Sequence, residues 1–445
     1  MAVDNPLPRA TVSETIESGS RRVRSVMAIA DQCLFSGVNF LTSVLIGRFA
    51  GSESLGRYAL AMSIVTLLVG LQRAILMSPY VILRGEQTAD QRRRTRGSLL
   101  MFCVTVGVVG GGVAGLVALI TRVAPDAGWG SPVVGMMALP MMLAIPAGLL
   151  RDFSRRLSIV RFDVAAALAM DFAVTVFQLV ALGGLVAYDR LSAPTALAVA
   201  ALVWIVVSAV ALLCSRRTFG RPAPREHWRQ LWPIGRWVSL TSLVATLQTL
   251  SMPWIMAAMV DIRLAGIYAA CWTLVQVVAP LIEGIGNLIG PRLAGSAQTR
   301  RWSELISVFR TNTLLFVAIM STMMVTYAVV GRAALGFVYG DDYIRYFGVL
   351  MGLAAAATAN NVGIPGLKAL IQIGYERFNC FVSLIGYLIA VVAAVLLLPL
   401  DPAGGAYGLL IGGAVATMVR WMTLSRIDPV FRDDVSALST AAANR

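Results

Sequence analysis

Long apolar runs are the feature that most constrains the fold of this chain. Many of them reach 18 residues or more, which is the length that an α-helix needs to cross the apolar core of a bilayer. Charged residues make up only 13% of the 445 residues, against about 25% in a soluble domain. The sequence therefore predicts an all-α polytopic membrane protein and excludes a soluble globular domain.

Twelve apolar runs are bounded by polar or basic segments, and we predict one membrane span for each. The predicted spans are residues 25–48, 58–83, 98–121, 133–151, 164–187, 194–214, 237–260, 267–290, 311–333, 346–369, 379–399 and 406–424. They define a cytoplasmic tail expected to be disordered (1–24), an N-lobe (25–214), a cytoplasmic interfacial linker (215–236), a C-lobe (237–424) and a second cytoplasmic tail (425–445). Because each lobe has an even number of spans, the two would be parallel six-helix repeats, related by a pseudo-twofold axis along the membrane normal.

A repeated turn supports the division into two halves. Gly56–Ala59 reads GRYA, and Gly266–Ala269, 210 residues later, reads GIYA. Each copy stands between two apolar runs, and a basic loop follows the second run. A matching turn with matching flanks indicates an internal repeat.

The basic residues are distributed unevenly between the two predicted sides of the membrane. With the N-terminus inside, the cytoplasmic segments hold 29 of the 37 lysines and arginines. This asymmetry predicts that both termini are cytoplasmic. The net charge of +14 follows from the same bias, so it predicts contact with anionic lipids and argues against nucleic-acid binding.

The cysteines and the single histidine form no pattern typical of a metal site or a disulfide framework. Cys33, Cys103, Cys214, Cys271 and Cys380 are scattered along apolar runs without a CxxC pair. We therefore expect packing roles rather than metal binding or disulfides, and no cofactor.

Charged residues inside predicted spans are the first candidates for function, because charges are costly at bilayer depth. Arg73 and Glu283 are separated by the repeat distance of 210 residues, so they would occupy equivalent positions with opposite charge. We predict that they pair across the cleft between the lobes when its inner side is closed. The alternatives are that each pairs within its own lobe or touches substrate directly.

Further polar residues could line a substrate path. Asp31 and Asp171 could bind a coupling H⁺ or Na⁺, or could instead pair internally. Asn39 continues the polar stripe of the first span, and Asn360 is more typical of helix–helix contact than of a site. Lys368 and Arg48 stand near span ends, where anchoring at the headgroups competes with a role in contacting a diphosphate.

The turn resembles a motif of the polysaccharide-export branch of the multidrug/oligosaccharidyl-lipid/polysaccharide exporter superfamily. Asn39–Leu41 reads NFL, Leu55–Ala61 reads LGRYALA, and Ala265–Ala270 reads AGIYAA, followed by Gly284–Pro291. The resemblance implies two six-helix lobes in a V and a flippase that moves polyprenyl-diphosphate-linked saccharides across the bacterial plasma membrane. It also implies a non-enzymatic, monomeric protein that works beside polysaccharide-assembly enzymes.

Two other functions compete with this one. The drug-exporter branch shares the architecture and couples export of cations to Na⁺ or H⁺. The predicted embedded charge of −2, with Arg73 as the single deep cation, favours that branch, because a diphosphate path should be cationic. A membrane-embedded glycosyl- or phosphotransferase is the third possibility, although no DxD-like pair lies in a predicted inner loop.

Overall fold

The structure, a computed structural model, describes Met27, Ala30 and residues 32–84, 87–123, 132–161, 163–298 and 302–443. Within these ranges the chain is helical, with short connections and no β-strand. The predicted tail 1–24 and Asp31 lie outside the described residues.

Twelve helices, which we number α1 to α12, follow one another along the described chain. In order, α1 is residues 32–50 and ends in the π-helical turn Ile46–Ala50, and α2 is Gly51–Gln72, continued by the π-helical turn Arg73–Met77 and by Ser78–Leu83. They are followed by α3 (Ala89–Val123), α4 (Pro132–Val160), α5 (Val164–Ala187), α6 (Ala193–Cys214) and α7 (Pro224–Met259). The last five are α8 (Ile262–Val275, continued by the 3₁₀ turn Gln276–Val278 and Ala279–Gln298), α9 (Trp302–Tyr339), α10 (Phe347–Val362 and Ile364–Gln372), α11 (Glu376–Leu397) and α12 (Gly404–Ala443).

The predicted number of spans agrees with these helices. Ten helical segments are long and apolar enough to cross a membrane, and the first of them, Gln32–Val81, contains both α1 and α2. The chain reverses between them at Gly51, whose φ is +82°. A Cβ on Gly47 would lie 3.1 Å from Leu55 Cδ2, whereas residues eight apart in a straight helix are about 12 Å apart. The remaining helix is α7, which contains the shorter apolar stretch Leu250–Met259.

The two lobes meet where the repeated turn predicts. A Cβ on Gly56 would overlap the Ile262 carbonyl, and a Cβ on Gly266 would overlap the Ser52 carbonyl. Ser52 and Ile262 are themselves 210 residues apart, so the contact is reciprocal, as at a twofold axis. Glycine is needed at both positions because α2 and α8 cross with their backbones in contact. We call this part of the molecule the Gly51 end and the opposite part the Arg84 end.

Several helices extend beyond the predicted spans, and three of these extensions change the predicted organisation. The fourth span was predicted to stop at residue 151, but α4, which contains the internal prolines Pro140 and Pro146, continues to Val160. Helix α7 begins at Pro224, so it includes most of the predicted linker 215–236. Helix α12 runs through the predicted tail 425–445 as far as Ala443. The extension of α4 changes the position of four charged residues.

Candidate functional site

An arginine cluster lies inside the N-lobe. We use this name for Arg73 of α2 and Arg151, Arg155 and Arg156 of α4, together with their carboxylate partners, Asp152 of α4 and Asp171 of α5. With four cations and two anions, the six residues carry a net charge of +2. Because the fourth predicted span stops at residue 151, Arg155 and Arg156 were expected in the cytoplasmic segment that follows it. In the structure α4 carries these residues onward on helical turns, so they lie on a helix rather than in a connecting loop.

Both aspartates of the cluster are shared between two arginines. Arg151 Nη2 donates to Asp171 Oδ1 at 3.3 Å, and Arg155 Nε donates to Asp171 Oδ2 at 2.6 Å. Arg73 Nη2 donates to Asp152 Oδ1 at 2.8 Å, and Arg156 Nε donates to Asp152 Oδ2 at 3.0 Å. Each carboxylate therefore neutralises one arginine of its pair, and each pair keeps an excess positive charge.

Aromatic rings of α1 and α6 pack against the guanidinium groups of Arg151 and Arg155. The carbon at the centre of the Arg151 guanidinium lies 5.2 Å from the ring centroids of both Phe35 and Trp204. The equivalent carbon of Arg155 is 4.9 Å from the Phe35 ring. Trp204 lies near the middle of the 22-residue helix α6. A helix of that length spans a bilayer, so Arg151 lies near half the depth of the lobe.

A polar chain fixes the Trp204 ring. Its Nε1 donates to Gln178 Oε1 at 3.0 Å, and Gln178 Nε2 donates to Thr42 Oγ1 at 2.9 Å. These bonds connect α6, α5 and α1. Because the donors and acceptors are buried, a missing partner would be costly, which makes the chain a specific support for the ring.

The cluster opens into a cavity of about 130 Å³, lined by Arg73, Arg151, Asp152 and Arg155 together with Phe35, Asn39 and Trp204. The Arg73 side chain is 43% exposed, although its residue lies within a membrane-spanning segment. The buried Nε atoms of Arg73 and Arg151 have no hydrogen-bond partner within the described part of the chain. The cavity therefore offers donors and positive charge to an anion.

Arg73 and Glu283 are not paired with each other in this structure. Arg73 bonds Asp152 of its own lobe, and Glu283 Oε2 accepts a hydrogen bond from Gln32 Nε2 at 3.2 Å. The local pairing of Arg73 agrees with one of the alternatives considered above, while the Gln32–Glu283 bond does join the two lobes. A pair between Arg73 and Glu283 in another conformation stays a prediction.

The remaining predicted site residues fall into different environments. Asn39 lines the cavity and Asp171 belongs to the cluster, whereas Asn360 Nδ2 bonds the Ala356 carbonyl of its own helix at 2.9 Å. Lys368 donates to the Gly286 carbonyl of α8, and Arg48 donates to the Phe337 carbonyl at the Gly51 end. The structure thus brings Arg73, Asn39 and Asp171 together and leaves the other three apart from them.

The sequence analysis missed Arg151, Asp152, Arg155 and Arg156 as site residues. Their spacing contains a usable signal, because Arg151 and Arg155, like Asp152 and Arg156, are four residues apart and share a helix face. The positive-inside rule assigns such residues to a loop. In the structure these residues stand on a helix, because α4 extends beyond its apolar part.

Comparisons with protein-family models and with curated proteins find no match. Among solved structures, an inward-facing multidrug resistance MATE family transporter of the MOP superfamily is 13% identical, over 90% of this chain and 96% of its own, with a TM-score of 0.73. The lipid II flippase MurJ in an inward closed conformation is also 13% identical, over 90% of this chain and 87% of its own, with a TM-score of 0.73. An outward-facing MATE transporter of the MOP superfamily is 13% identical, over 92% of this chain and 96% of its own, and its TM-score is 0.62. The chain therefore has the fold of the MOP-superfamily transporters, the superfamily that its turn motif resembles.

Proposed function

We propose that this protein is a flippase that moves a polyprenyl-diphosphate-linked saccharide across the bacterial plasma membrane by alternating access. The observation that carries the proposal is the arginine cluster, with its net charge of +2, beside a cavity at membrane depth. Arginine suits a diphosphate because its planar guanidinium presents parallel donors to phosphate oxygens. A cationic drug would be repelled by the same cluster.

The contacts between the lobes suggest how the cycle would proceed. At the Gly51 end the lobes touch through Gly56 and Gly266, and Tyr343 Oη donates to the Gly47 carbonyl at 3.2 Å. With the orientation expected from the basic residues, this end faces outside and is closed. The cavity would then receive the diphosphate from the cytoplasmic leaflet, which agrees with the higher TM-score for an inward-facing relative.

Transport of a lipid in proteoliposomes tests the proposal. The probe is fluorescently labelled undecaprenyl diphosphate carrying N-acetylglucosamine, and the readout is the fraction accessible to a quencher outside the vesicle. We expect movement with the wild-type protein and a loss of about tenfold or more for Arg73→Gln, because a charge-assisted hydrogen bond to phosphate is removed. Arg332→Gln is the matched control, since Arg332 lies over the Phe347 ring, away from the cavity.

A cation-coupled exporter is the second candidate. One observation favours it, namely that the Glu283 carboxylate is exposed in the cleft between the lobes. In this case proteoliposomes would accumulate ethidium in response to a Na⁺ or H⁺ gradient and would leave the diphosphate lipid where it is. That combination of results would overturn the flippase proposal.

A further inference from the structure

A second cavity lies between the lobes and shares two lining residues with the first. This inter-lobe groove has a volume of about 610 Å³ and lies between α1 and α8. Phe35 and Asn39 line both the groove and the cavity beside the arginine cluster. The groove thus adjoins the cavity at these two side chains, and its volume lies within the usual range for ligand sites of about 300–1,000 Å³.

The groove is lined by polar side chains at a depth where they are uncommon. Asn39, Gln276 and Glu283 are exposed, and Gln32, Ser36 and Thr273 are partly buried. Polar residues in membrane-spanning helices normally face a water-filled cavity or the interior of the bundle. These six residues come from both lobes and line one space between them.

The chemistry of the lining fits a saccharide. Amides and hydroxyls can donate to and accept from sugar hydroxyls, and Trp272 of α8 adds a flat apolar surface for the C–H face of a sugar ring. Few charged groups are needed for such recognition. Among the described residues that line the groove, Glu283 is the sole acidic side chain and no basic side chain is present.

The two adjoining spaces therefore have opposite charge. The cavity contains three arginines, whereas the groove contains the Glu283 carboxylate, whose Oε2 accepts from Gln32 Nε2 and whose side chain is otherwise exposed. A carboxylate repels an acidic sugar and attracts or tolerates a neutral or amino-bearing one. The diphosphate and the saccharide would be recognised by different charges.

We propose that the inter-lobe groove is the saccharide subsite and that Glu283 makes it selective for neutral or amino-bearing sugars over acidic ones. The inference rests on the proposed flippase function and adds the substrate class. Glu283 acts as a specificity determinant, and the arginine cluster acts as the anchor for the diphosphate common to all such substrates.

Two lipids that differ in a single group test the inference. Undecaprenyl diphosphate is loaded with N-acetylglucosamine–glucose or with N-acetylglucosamine–glucuronate, so that a hydroxymethyl group is exchanged for a carboxylate. In proteoliposomes we expect the wild-type protein to move the glucose lipid about tenfold faster than the glucuronate lipid, because of like-charge repulsion in the groove. Glu283→Gln should reduce this ratio to about twofold or less, mainly by raising the rate for glucuronate. The new amide can still bond Gln32.

A control variant and the measured rates distinguish a failure of the saccharide subsite from a failure of the flippase function. Glu376→Gln removes an exposed carboxylate at the start of α11 and should leave the ratio unchanged. Equal rates for both lipids in the wild-type protein, or a ratio that Glu283→Gln does not alter, would overturn the saccharide subsite while the flippase stands. If neither lipid moves, the proposed function fails and the inference fails with it.

Discussion

The two lobes share one helical plan but stabilise their buried cations in different ways. In the N-lobe, Arg151 and Arg155 share the carboxylate of Asp171. In the C-lobe, Arg420 is also buried, yet its Nε donates to Asn379 Oδ1 at 2.8 Å and its Nη2 to Ser383 Oγ at 2.7 Å, both neutral acceptors. Ion pairs beside a cavity thus occur in one lobe, and neutral hydrogen bonds between helices in the other. The comparison shows that net positive charge stands beside a cavity in the N-lobe.

The helices α4 and α10 show how the difference arises. Helix α4 is continuous through Arg151 and Arg155, which places both arginines on one face above α5. Helix α10, at the corresponding place in its lobe, is interrupted at Gly363, where a Cβ would meet the Thr417 side chain of α12. At the interruption, α10 packs closely against α12. In the N-lobe, a cavity remains beside the arginines of α4.

Among the variants that test this difference between the lobes, removal of the Asp171 carboxylate should destabilise the protein most. Asp171→Ala leaves Arg151 and Arg155 buried without their shared carboxylate, and breaking a buried pair in this way costs about 3–5 kcal/mol. We expect the purified full-length protein to lose most of its thermal stability in detergent, or to accumulate poorly in the membrane.

The matched variant in the C-lobe is Asn379→Ala, which removes a neutral acceptor from Arg420. Loss of a hydrogen bond to a charged group costs about 1.5–3 kcal/mol, so this variant should melt at a temperature between those of the wild type and Asp171→Ala. Equal melting temperatures for the two variants would mean that the lobes do not differ in the way proposed.

The sequence predicted the fold well because the signals for it are local. Span length, the positive-inside bias and the 210-residue repeat of Gly56 and Gly266 depend on residues near one another or on a fixed offset. Arg73, Asn39 and Asp171 were identified because polar residues inside apolar runs are conspicuous. Arg151 and Arg155 were not identified, since their role depends on α4 continuing past its apolar part and packing against α5. Such tertiary context has no signature in the charge count of a segment.

The next largest effect is expected on ligand affinity, when Arg73→Gln is compared with Lys368→Gln. Arg73 faces the cavity, and after its removal Asp152 keeps its bond with Arg156, so the fold should remain intact. We expect the affinity for undecaprenyl diphosphate in detergent to fall about tenfold or more, as for a lost charge-assisted hydrogen bond.

Lys368 should behave differently because it is directed to the Gly286 carbonyl of α8. For Lys368→Gln we expect a change of about twofold or less, which is typical of a charge that does not touch the ligand. Microscale thermophoresis on the two purified variants measures both values. A larger loss for Lys368→Gln than for Arg73→Gln would place the diphosphate in the C-lobe.

A methyl group at the crossing of the lobes should shift the conformational equilibrium moderately. Gly266→Ala forces a Cβ onto the Ser52 carbonyl, and such overpacking costs about 1–3 kcal/mol. The population closed at the Gly51 end should fall by about fivefold to 150-fold relative to the open one. Spin labels at Glu53 and Arg263, which are exposed and lie on different lobes, report the separation by pulsed electron paramagnetic resonance.

Gly284→Ala is the control for this shift. Gly284 lies further along α8, and a Cβ there meets no atom of the described chain within 4 Å. The exchange should stabilise the helix slightly, by up to about 1 kcal/mol, and leave the distance distribution of the labels unchanged. A broadened distribution in this control would show that any added side chain on α8, wherever it lies, moves the lobes.

The smallest effects are expected for two tryptophan variants, one that removes a hydrogen bond within the N-lobe and one that removes a hydrogen bond between the lobes. Trp204 donates to Gln178 inside the N-lobe, and Trp254 of α7 donates to Ser63 Oγ of α2 at 2.6 Å across the interface. Replacing either residue with phenylalanine removes one hydrogen bond and leaves its acceptor without that donor, which costs about 1–3 kcal/mol. Trp204→Phe should lower the melting temperature without changing the label distances, because both partners stay in one lobe. Trp254→Phe should broaden the distances while the melting temperature changes less, since the lobes remain folded when they separate. If both variants lower the melting temperature alike and leave the distances alone, the lobes unfold and move as a single body.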